Sequence, residues 1–545
     1  MSDHNLIHDL YEALTGIISE TNGITIDDTL EALYNSRYLK GKTHLLASVK
    51  EFQGLLGRFQ TNQCEIDDLL NHPLAAALFK FLWAFPLKYR EEHIHLTGSL
   101  TADFVHPRLM QLLDGPHKNI YEEKIREIYG SDATPISTVQ DVNRLIRLKE
   151  TEQFSRYLER LTLPKYLLTS REAHEEAAYH MAEELYNKYN VGYIRLKFTL
   201  SRSTSDAKET IPGSENVSPE DVVMGLYSGF KSFKRQHPDF EFILSPSFRK
   251  EPSFYDHNHF KTKKEHFEFQ VDCILKMLQD HPELTDHLRE VDTVGSENHL
   301  YRKEHFLEMH RGLRKLQAMG FQIRSHHGET WDTLKRGIQS VDNAMNIWRI
   351  DALEHGVSLG INPNFYFHTI FQRVMEKNEK GQSLTPHTQE YSEVMGLYWD
   401  RNDLVRDKLI NGKPLNEDEI ITFIKSKYHT AQEVEQYQHD ILNRVIDKNV
   451  SLITLPSSNK KLTGQFEDYK DHPFSWWEKK GIKLGVGTDN YITLNTNYIR
   501  ELLILLFTDP HGLKILKLLI VATGEKRRPF ISQLLWQMRK NLKKR

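Results

Sequence analysis

Residues 313–329 read LRKLQAMGFQIRSHHGE, and this stretch contains one complete helix-to-strand unit. Leu313, Leu316 and Met319 recur at helical spacing, and Gly320 is a residue type that commonly ends a helix. Residues 321–326 are then a short β-rich run, which ends in His-His-Gly-Glu. The stretch therefore predicts a helix followed by a strand whose last residues are polar.

The same alternation of helix and strand recurs along the chain from residue 90. Met181 and Leu185, for example, belong to a helical pattern ahead of the second β-rich run. The eight runs are residues 93–96, 192–199, 240–246, 290–294, 321–326, 349–354, 450–455 and 482–487. Because helices that alternate with eight strands are typical of a parallel α/β architecture, we predict a (β/α)8 TIM barrel.

The composition is that of a chain able to bury a large core. Of the 545 residues, 39% are apolar and 27% charged, and 71 basic against 75 acidic residues leave a net charge of −4. This balance indicates neither wholesale disorder nor a general polyanion-binding surface, so no nucleic-acid partner is expected. The most apolar stretch, residues 502–521, is interrupted by Asp509, Lys514 and Lys517 and is not expected to cross a membrane.

Cysteine usage and the first residues bear on the compartment. Cys64 and Cys273 are the two cysteines of the sequence, which excludes a disulfide framework and a zinc site of clustered thiolates. Residues 1–4 do not begin a signal-peptide pattern. We therefore expect a cytoplasmic protein.

The length exceeds that of one barrel, and the sequence divides the surplus into segments. Residues 1–89 are predicted to be a helical N-terminal extension, and residues 90–525 a barrel with a helical insertion at about 361–440. Residues 526–545 are predicted to be a basic C-terminal helix or tail. The long segments outside the barrel lead us to predict a homo-oligomer.

Side chains that suit a metal lie at the ends of several predicted strands. His93 and His95 flank Ile94, so strand alternation places both on one face. His326 and Asp489 lie at the ends of the fifth and eighth strands. Because the C-terminal ends of barrel strands meet at one face, we expect these four side chains to converge. Nitrogen and oxygen ligands without sulfur suit a catalytic zinc ion.

Two further polar residues follow neighbouring strands. Glu329 follows the fifth strand, and His355 the sixth. A carboxyl and an imidazole are the side chains that most often transfer protons in active sites. An isolated His-x-His pair is more often structural, but the polar residues at the other strand ends favour a catalytic centre.

Six short motifs occur in order between residues 90 and 500, each at a predicted strand end. They are HIHLTGS at 93–99, GSE at 295–297, HHGE at 326–329, EHGVSL at 354–359, LPSSN at 455–459 with LTG at 462–464, and TDN at 488–490. One such motif is weak, whereas six in order are specific. On these motifs the chain resembles the adenosine/AMP deaminase family of the amidohydrolase superfamily.

The resemblance implies one zinc ion per chain, held by His93, His95, His326 and Asp489. Relatives with two metals carry a lysine in the fourth strand. Residues 290–294 contain no lysine, which favours a single metal.

The resemblance also implies the roles of the reacting groups. Glu329 would donate a proton to purine N1, and His355 would orient or deprotonate the attacking water. Asp489 would accept a hydrogen bond from that water in addition to binding zinc. The backbone N–H of Gly295 would face purine N3.

The implied reaction is hydrolytic deamination of a purine. The first hypothesis is conversion of the 6-amino group of adenosine or an adenine nucleotide to the inosine form, with release of ammonia. The second is the same chemistry on another aminated purine nucleotide, such as N6-methyl-AMP. The third is an inactive nucleotide-binding or assembly protein on the same barrel. The complete set of ligands, acid and base favours an enzyme over the third.

Two predicted substrate-binding residues depart from the family's pattern. Thr97 stands where adenosine deaminases carry an Asp that faces the ribose 5′-hydroxyl. Its loss either removes repulsion against a 5′-phosphate or exchanges one hydrogen-bonding residue for another. Asn490 stands where the family has an Asp in contact with purine N7, and its amide can still donate. The choice between nucleoside and nucleotide therefore stays open.

Cationic residues cluster after the third strand, at the expected active-site face. They are Arg249, Lys250, Lys261, Lys263 and Lys264. Such residues either hold a substrate phosphate or belong to a solvated loop, and we expect the solvated loop.

Overall fold

The computed structural model describes residues 3–149, 154–200, 217–297, 300–463 and 468–542, so that motif residue Gly464 and the tail residues 543–545 lie outside it. Eight parallel strands form one sheet in the order β1 to β8. They are Tyr89–His95 (β1), Val191–Thr199 (β2), Glu241–Arg249 (β3), Glu290–Val294 (β4), Gln322–His327 (β5), Ala352–His355 (β6), Ser451–Thr454 (β7) and Leu484–Val486 (β8). A bridge between Ile94 and Asp489 joins the first and last strands. The predicted (β/α)8 barrel is confirmed, and it is nearly closed.

The strands lie where the sequence predicts them, with bounds shifted by a few residues. β1 begins earlier than expected because Tyr89 and Glu91, both buried, already pair with β2. Glu91 is tolerated there because Thr488 donates both its backbone N–H and its hydroxyl to the carboxylate. β6 begins later, at Ala352, since Arg349 adopts a left-handed backbone with a φ of 53°.

The N-terminal segment is helical and packs on itself. Its helices are Asp3–Glu20 (α1), Ile26–Tyr34 (α2), Thr43–Gln60 (α3), Ile66–Leu70 (α4) and Pro73–Trp83 (α5). Leu10, Leu30 and Phe52 are among their buried apolar side chains, which join the core of the chain.

Helices cover the outside of the barrel between successive strands. Those between β1 and β2 are Ala102–Leu113 (α6), Lys118–Tyr129 (α7), Val139–Ile146 (α8), Phe154–Arg160 (α9), Thr162–Lys165 (α10) and Arg171–Tyr189 (α11). Those that follow β2 to β5 are Pro219–Gln236 (α12), Lys263–Asp280 (α13), Lys303–Ala318 (α14) and Leu334–Asn343 (α15). The long first connection contributes to the wall of the candidate site described below.

The connection after β6 is a group of helices. They are Pro363–Glu379 (α16), Gln389–Gly396 (α17), Asp403–Ile410 (α18) and Glu417–Asp447 (α19). α16 packs along α19, and α19 also contacts α15 beside the barrel. The predicted end of the insertion, at about residue 440, falls within the long helix α19, so the domain limits stay a prediction.

The last helices connect the C-terminal part of the barrel to the N-terminal segment. They are Pro456–Thr463 (α20), Phe474–Lys480 (α21), Tyr498–Thr508 (α22), Ile515–Thr523 (α23) and Arg528–Leu542 (α24). α22 packs against α5, and α24 against α1, where Arg539 pairs with Glu20 at 2.6 Å. Among the described residues, none of the helices combines the length and apolar character that a bilayer crossing requires.

Candidate active site

Three imidazoles meet at the C-terminal mouth of the barrel. His93 and His95 come from β1, and His326 comes from β5. The Nε2 atom of His95 is 3.2 Å from that of His93 and 3.4 Å from that of His326. Ligand atoms bound to one zinc at about 2 Å lie about 3.3 Å apart in a tetrahedral site. The three imidazoles therefore fit around one metal ion, as their mutual spacing within 4.8 Å also indicates.

Carboxylates behind two of these imidazoles determine which ring nitrogen carries the hydrogen. His93 Nδ1 lies 2.7 Å from Glu354 Oε2, and His326 Nδ1 lies 3.1 Å from Asp292 Oδ2. Since a carboxylate accepts, each Nδ1 donates, and each Nε2 keeps a lone pair for a metal. Burial lowers the pKa of His93 and of His326 well below the usual value, so both rings are neutral near pH 7.

A buried ionic cluster supports the two carboxylates. Lys197 of β2 is fully buried, and its Nζ lies 3.1 Å from both Asp292 Oδ2 and Glu354 Oε1. Arg324 Nε donates to the same Glu354 oxygen at 2.5 Å. The sequence motifs indicate no role for these residues. The only indication in the sequence is that charged residues lie inside predicted buried strands. A buried charge is tolerated when it is paired.

Asp489, the predicted fourth ligand, lies beside the imidazoles. Its backbone is left-handed, with a φ of 63°. Its Oδ1 is 3.5 Å from His95 Nε2 and 3.9 Å from His93 Nε2. The Ser458 hydroxyl donates to Oδ2 at 2.6 Å. One carboxylate oxygen therefore faces the imidazoles while the other is held in place.

Glu329 and His355 face each other next to this cluster, with His355 Nε2 3.7 Å from Glu329 Oε1. His355 Nδ1 lies 2.8 Å from Asn459 Oδ1 and donates to it. His355 Nε2 therefore carries a lone pair, and it is buried without a hydrogen-bond partner in the described part of the chain. Burial raises the pKa of the Glu329 carboxyl, against an opposing effect of His355. A group suited to donate a proton thus lies beside one suited to accept it.

Glu297 holds the loop that carries Glu329. Its carboxylate accepts hydrogen bonds from the backbone N–H groups of Gly328, Glu329 and Thr330, at 2.9, 2.8 and 3.1 Å. Burial raises the pKa of Glu297, but the charge of Lys250 and the hydrogen bonds outweigh burial and hold it at about 2. Glu297 belongs to the GSE motif, but the sequence alone does not indicate its role because its partners are backbone groups of another connection.

Thr97 and Gly295, two of the predicted substrate-binding residues, follow the first and the fourth strand of the barrel. Thr97 begins a short 3-10 turn after β1 and lines the cavity described below. Gly295 follows β4 with a φ of 107°. This backbone conformation favours glycine, and an added Cβ atom would also displace the Glu251 carboxylate.

Asn490, the third predicted substrate-binding residue, is turned toward a helix that covers the site. Its Nδ2 donates to Asp489 Oδ1 at 2.6 Å and also to the hydroxyl of Tyr157 in α9. Both amide hydrogens are therefore engaged within the protein. Tyr157 is not predicted from the sequence as a site residue, because it comes from the distant connection between β1 and β2.

A cavity of about 460 Å³ lies beside the imidazoles. His95, Thr97 and Lys197 line it on the side of the histidine cluster. Arg249 and Lys263 line another wall, from the end of β3 and the first turn of α13. The volume is in the range of small-molecule binding sites.

The prediction of a solvated cationic loop after the third strand is wrong for two of its residues. Lys250 and Lys263 are buried, with exposed fractions of 1% and 5%. Lys250 Nζ donates to the backbone carbonyl of His326, and the Lys263 side chain turns from α13 toward the barrel. Lys261 and Lys264 are exposed, as expected.

No family model matches the chain. A segment of 58 residues, 11% of this chain, is 43% identical to the adenosine deaminase of Clostridium botulinum, and the chain spans 17% of that protein. Among solved structures, an adenine deaminase from Arthrobacter aurescens is 11% identical, with 83% of this chain and 99% of that chain covered and a TM-score of 0.46. An Arabidopsis N6-mAMP deaminase is 13% identical, with 84% and 98% covered and a TM-score of 0.47. The sequence match confirms, over that short segment, the resemblance to adenosine deaminases that the motifs indicate.

Proposed function

We propose that the protein is a zinc-dependent hydrolytic deaminase that converts the 6-amino group of adenosine or an adenine nucleotide to the inosine form and releases ammonia. The observation that carries the proposal is the convergence of three imidazoles with the Glu329 carboxyl and the unpartnered His355 nitrogen. Metal ligands, an acid and a base are the groups that this hydrolysis needs. The short match to adenosine deaminase supports the same reaction class.

His93, His95, His326 and Asp489 are the residues that would hold one zinc ion per chain. The donor set fits, because carboxylates engage the Nδ1 hydrogens of two imidazoles and leave their Nε2 lone pairs toward the centre. When bound, zinc supplies Lewis acidity that lowers the pKa of water to about 7.

Glu329 and His355 move the protons of the proposed reaction. Glu329, with its raised pKa, donates a proton to purine N1, which makes C6 electrophilic toward water. His355 takes one proton from the attacking water and passes it to the amino group. The C6–O bond forms, the C6–N bond breaks, and ammonia leaves. The remaining hydroxyl proton returns to Glu329, which restores its starting state.

An ammonia-release assay tests the proposal directly. Zinc-loaded protein is offered adenosine, deoxyadenosine, AMP and ATP, and ammonia is measured together with the absorbance change from the adenine to the inosine form. We expect one ammonia per inosine-form product from at least one of them. No ammonia from any adenine compound would refute the proposal.

The same assay decides between the proposal and its alternatives. N6-methyl-AMP as the preferred substrate would release methylamine instead of ammonia. A protein that is inactive on every compound and retains no metal after incubation with zinc would support a binding or assembly role on the same barrel. Metal content is measured by inductively coupled plasma mass spectrometry.

A further inference from the structure

Helix α13 presents a polar face to the cavity beside the candidate active site. Lys263, His266 and Gln270 are three and four residues apart, which places them on one side of the helix. Their exposed fractions are 5%, 2% and 7%, and all three line the cavity. The face of a helix that packs on a barrel is normally apolar, so a buried polar face needs another explanation.

Lys263 places a buried positive charge in this wall. Its Nζ donates to the backbone carbonyls of Arg249 at 2.5 Å and of Phe254 at 2.8 Å. Within the described part of the chain, no carboxylate lies within salt-bridge distance of it. Burial lowers the pKa of Lys263 to about 8, with Glu251 opposing and Arg249 adding to the effect. An ammonium ion held only by neutral carbonyls favours an anion nearby.

His266 adds a hydrogen-bond donor without an acceptor. Its Nδ1 accepts the backbone N–H of Asp256 at 3.3 Å, so the ring hydrogen is on Nε2. Nε2 is buried and has no hydrogen-bond partner in the structure as described. Burial lowers the pKa of His266 to about 4, which keeps the ring neutral near pH 7. An unsatisfied buried N–H costs about 1–3 kcal/mol unless a ligand accepts from it.

Two further cationic residues line the cavity with these side chains, alongside the carboxylate of Glu159. Arg249 lines the same wall, stacks over the Phe254 ring at 4.4 Å and pairs with Glu251. Lys165 of α10 lines the cavity as well. The N-terminus of α13, an 18-residue helix, adds the positive end of its dipole beside Lys263.

We infer that this wall binds the phosphate group of a purine nucleotide, an inference that rests on the proposed deaminase function. Phosphate oxygens accept hydrogen bonds from ammonium, guanidinium and imidazole N–H groups. His95 and Thr97 line the same cavity, so a nucleotide bound in it would contact both His95 and α13. The substrates of the site are then nucleoside 5′-phosphates rather than nucleosides.

Equilibrium binding tests this subsite without turnover. Isothermal titration calorimetry compares inosine 5′-monophosphate with inosine on zinc-loaded protein, for the wild type, Lys263→Met and Lys264→Met. Lys264 is the matched control, because it is the next residue of α13, carries the same charge and is exposed. Arg249→Met replaces Lys263→Met if circular dichroism shows that the latter does not fold.

We expect the wild type to bind the nucleotide at least about 10-fold more tightly than the nucleoside. Lys263→Met is expected to weaken nucleotide binding by roughly 10–100-fold, because a charge-assisted hydrogen bond is lost, whereas Lys264→Met keeps the preference. Equal affinities of the wild type for the two ligands would overturn the inference, as would a preference that survives Lys263→Met. The wild-type comparison needs no variant and stands whether or not the variants fold.

Ammonia release separates this inference from the proposed function. Equal kcat/KM for adenosine and AMP overturns the phosphate subsite and leaves the deaminase proposal intact. A nucleotide preference in binding that Lys263→Met abolishes, without deamination of any aminated purine, supports the subsite and refutes the deaminase.

Discussion

Glu329 is the residue on which the proposed chemistry depends most directly. Glu329→Gln keeps the size of the side chain but removes the acidic proton, and we expect kcat to fall about 10²–10⁴-fold. The three imidazoles do not involve this side chain, so zinc content should be unchanged by mass spectrometry. Glu376→Gln, an exposed exchange in α16, is the control and should keep full activity. Full activity of Glu329→Gln would show that the proton reaches the purine by another route.

Lys197 is the residue that balances the carboxylates behind the histidines. Its ammonium group is fully buried between Asp292 and Glu354, and Lys197→Met would leave negative charge there without its partner. We expect the free energy of unfolding to fall by about 3–5 kcal/mol, as measured by urea denaturation. Lys276→Met, an exposed exchange in α13, should change it by less than about 0.5 kcal/mol. An equally small change for Lys197→Met would contradict the role of this cluster.

The helices inserted after β6 hold the loops that carry the proposed acid and base. In α17, the Glu393 carboxylate accepts from Leu334 N at 2.7 Å and from the Tyr366 hydroxyl at 2.6 Å. The Trp331 indole, two residues after Glu329, donates to the same hydroxyl at 3.2 Å. These contacts connect the insertion to the segment between β5 and α15.

The loop after β6 is held in the same way by α19. Gln438 Nε2 donates to the carbonyls of Ser358 and Ile361, both at 2.9 Å. Ser358 lies three residues after His355, so α19 supports the segment that follows the proposed base. The insertion therefore acts on the geometry of the candidate site without contributing a reacting group.

Glu393 makes the stability of this arrangement dependent on pH. Burial raises its pKa from 4.5 to about 7, so the folded state binds more protons than the unfolded state between these values. The contribution of Glu393 to the free energy of unfolding is then fully present below about pH 4.5, and it is lost as pH rises through about 7. Relative to Glu393→Gln, which stays neutral, the wild type should lose on the order of 3 kcal/mol of unfolding free energy between about pH 5 and pH 8. Urea unfolding at several pH values checks this, and a difference that does not vary with pH would contradict it.

On the scale of the whole molecule, the histidine cluster connects the beginning and the middle of the barrel. His93 and His95 belong to the first strand and His326 to the fifth, while Asp489 follows the last. An ion bound there stabilises the folded state by about 4 kcal/mol at a free concentration 1,000 times its Kd. We expect a chelator to lower the Tm and zinc to restore it, as measured by calorimetry, whereas calcium should have no effect. A Tm that does not respond to zinc would contradict the proposed metal centre.

The predicted homo-oligomer concerns the whole molecule as well and stays a prediction. The N-terminal helices that motivated it pack onto the C-terminal helices of the same chain, through contacts such as α1 with α24. Light scattering should give a mass that is a multiple of 64.0 kDa if the prediction holds. A mass of one chain would show that the extension serves the fold of the single chain.

The amino-acid sequence by itself determined the barrel and the ends of its strands. Local periodicity sets each helix and strand, and His93, His95, His326 and Asp489 lie at strand ends that a parallel barrel must bring to one mouth. Their convergence therefore follows from topology, which the order of elements encodes.

The tertiary structure decided what lies behind and beside these residues. Lys197 pairs with residues 95 and 157 positions away, and Lys263 turns inward where its sequence neighbours are solvated. Burial of a charge depends on which distant groups surround it, and a single sequence shows the charge but not the partners. The sequence for this reason determined which groups come together, and only the packed structure decided their ionisation, their hydrogen bonds and the shape of the cavity they share.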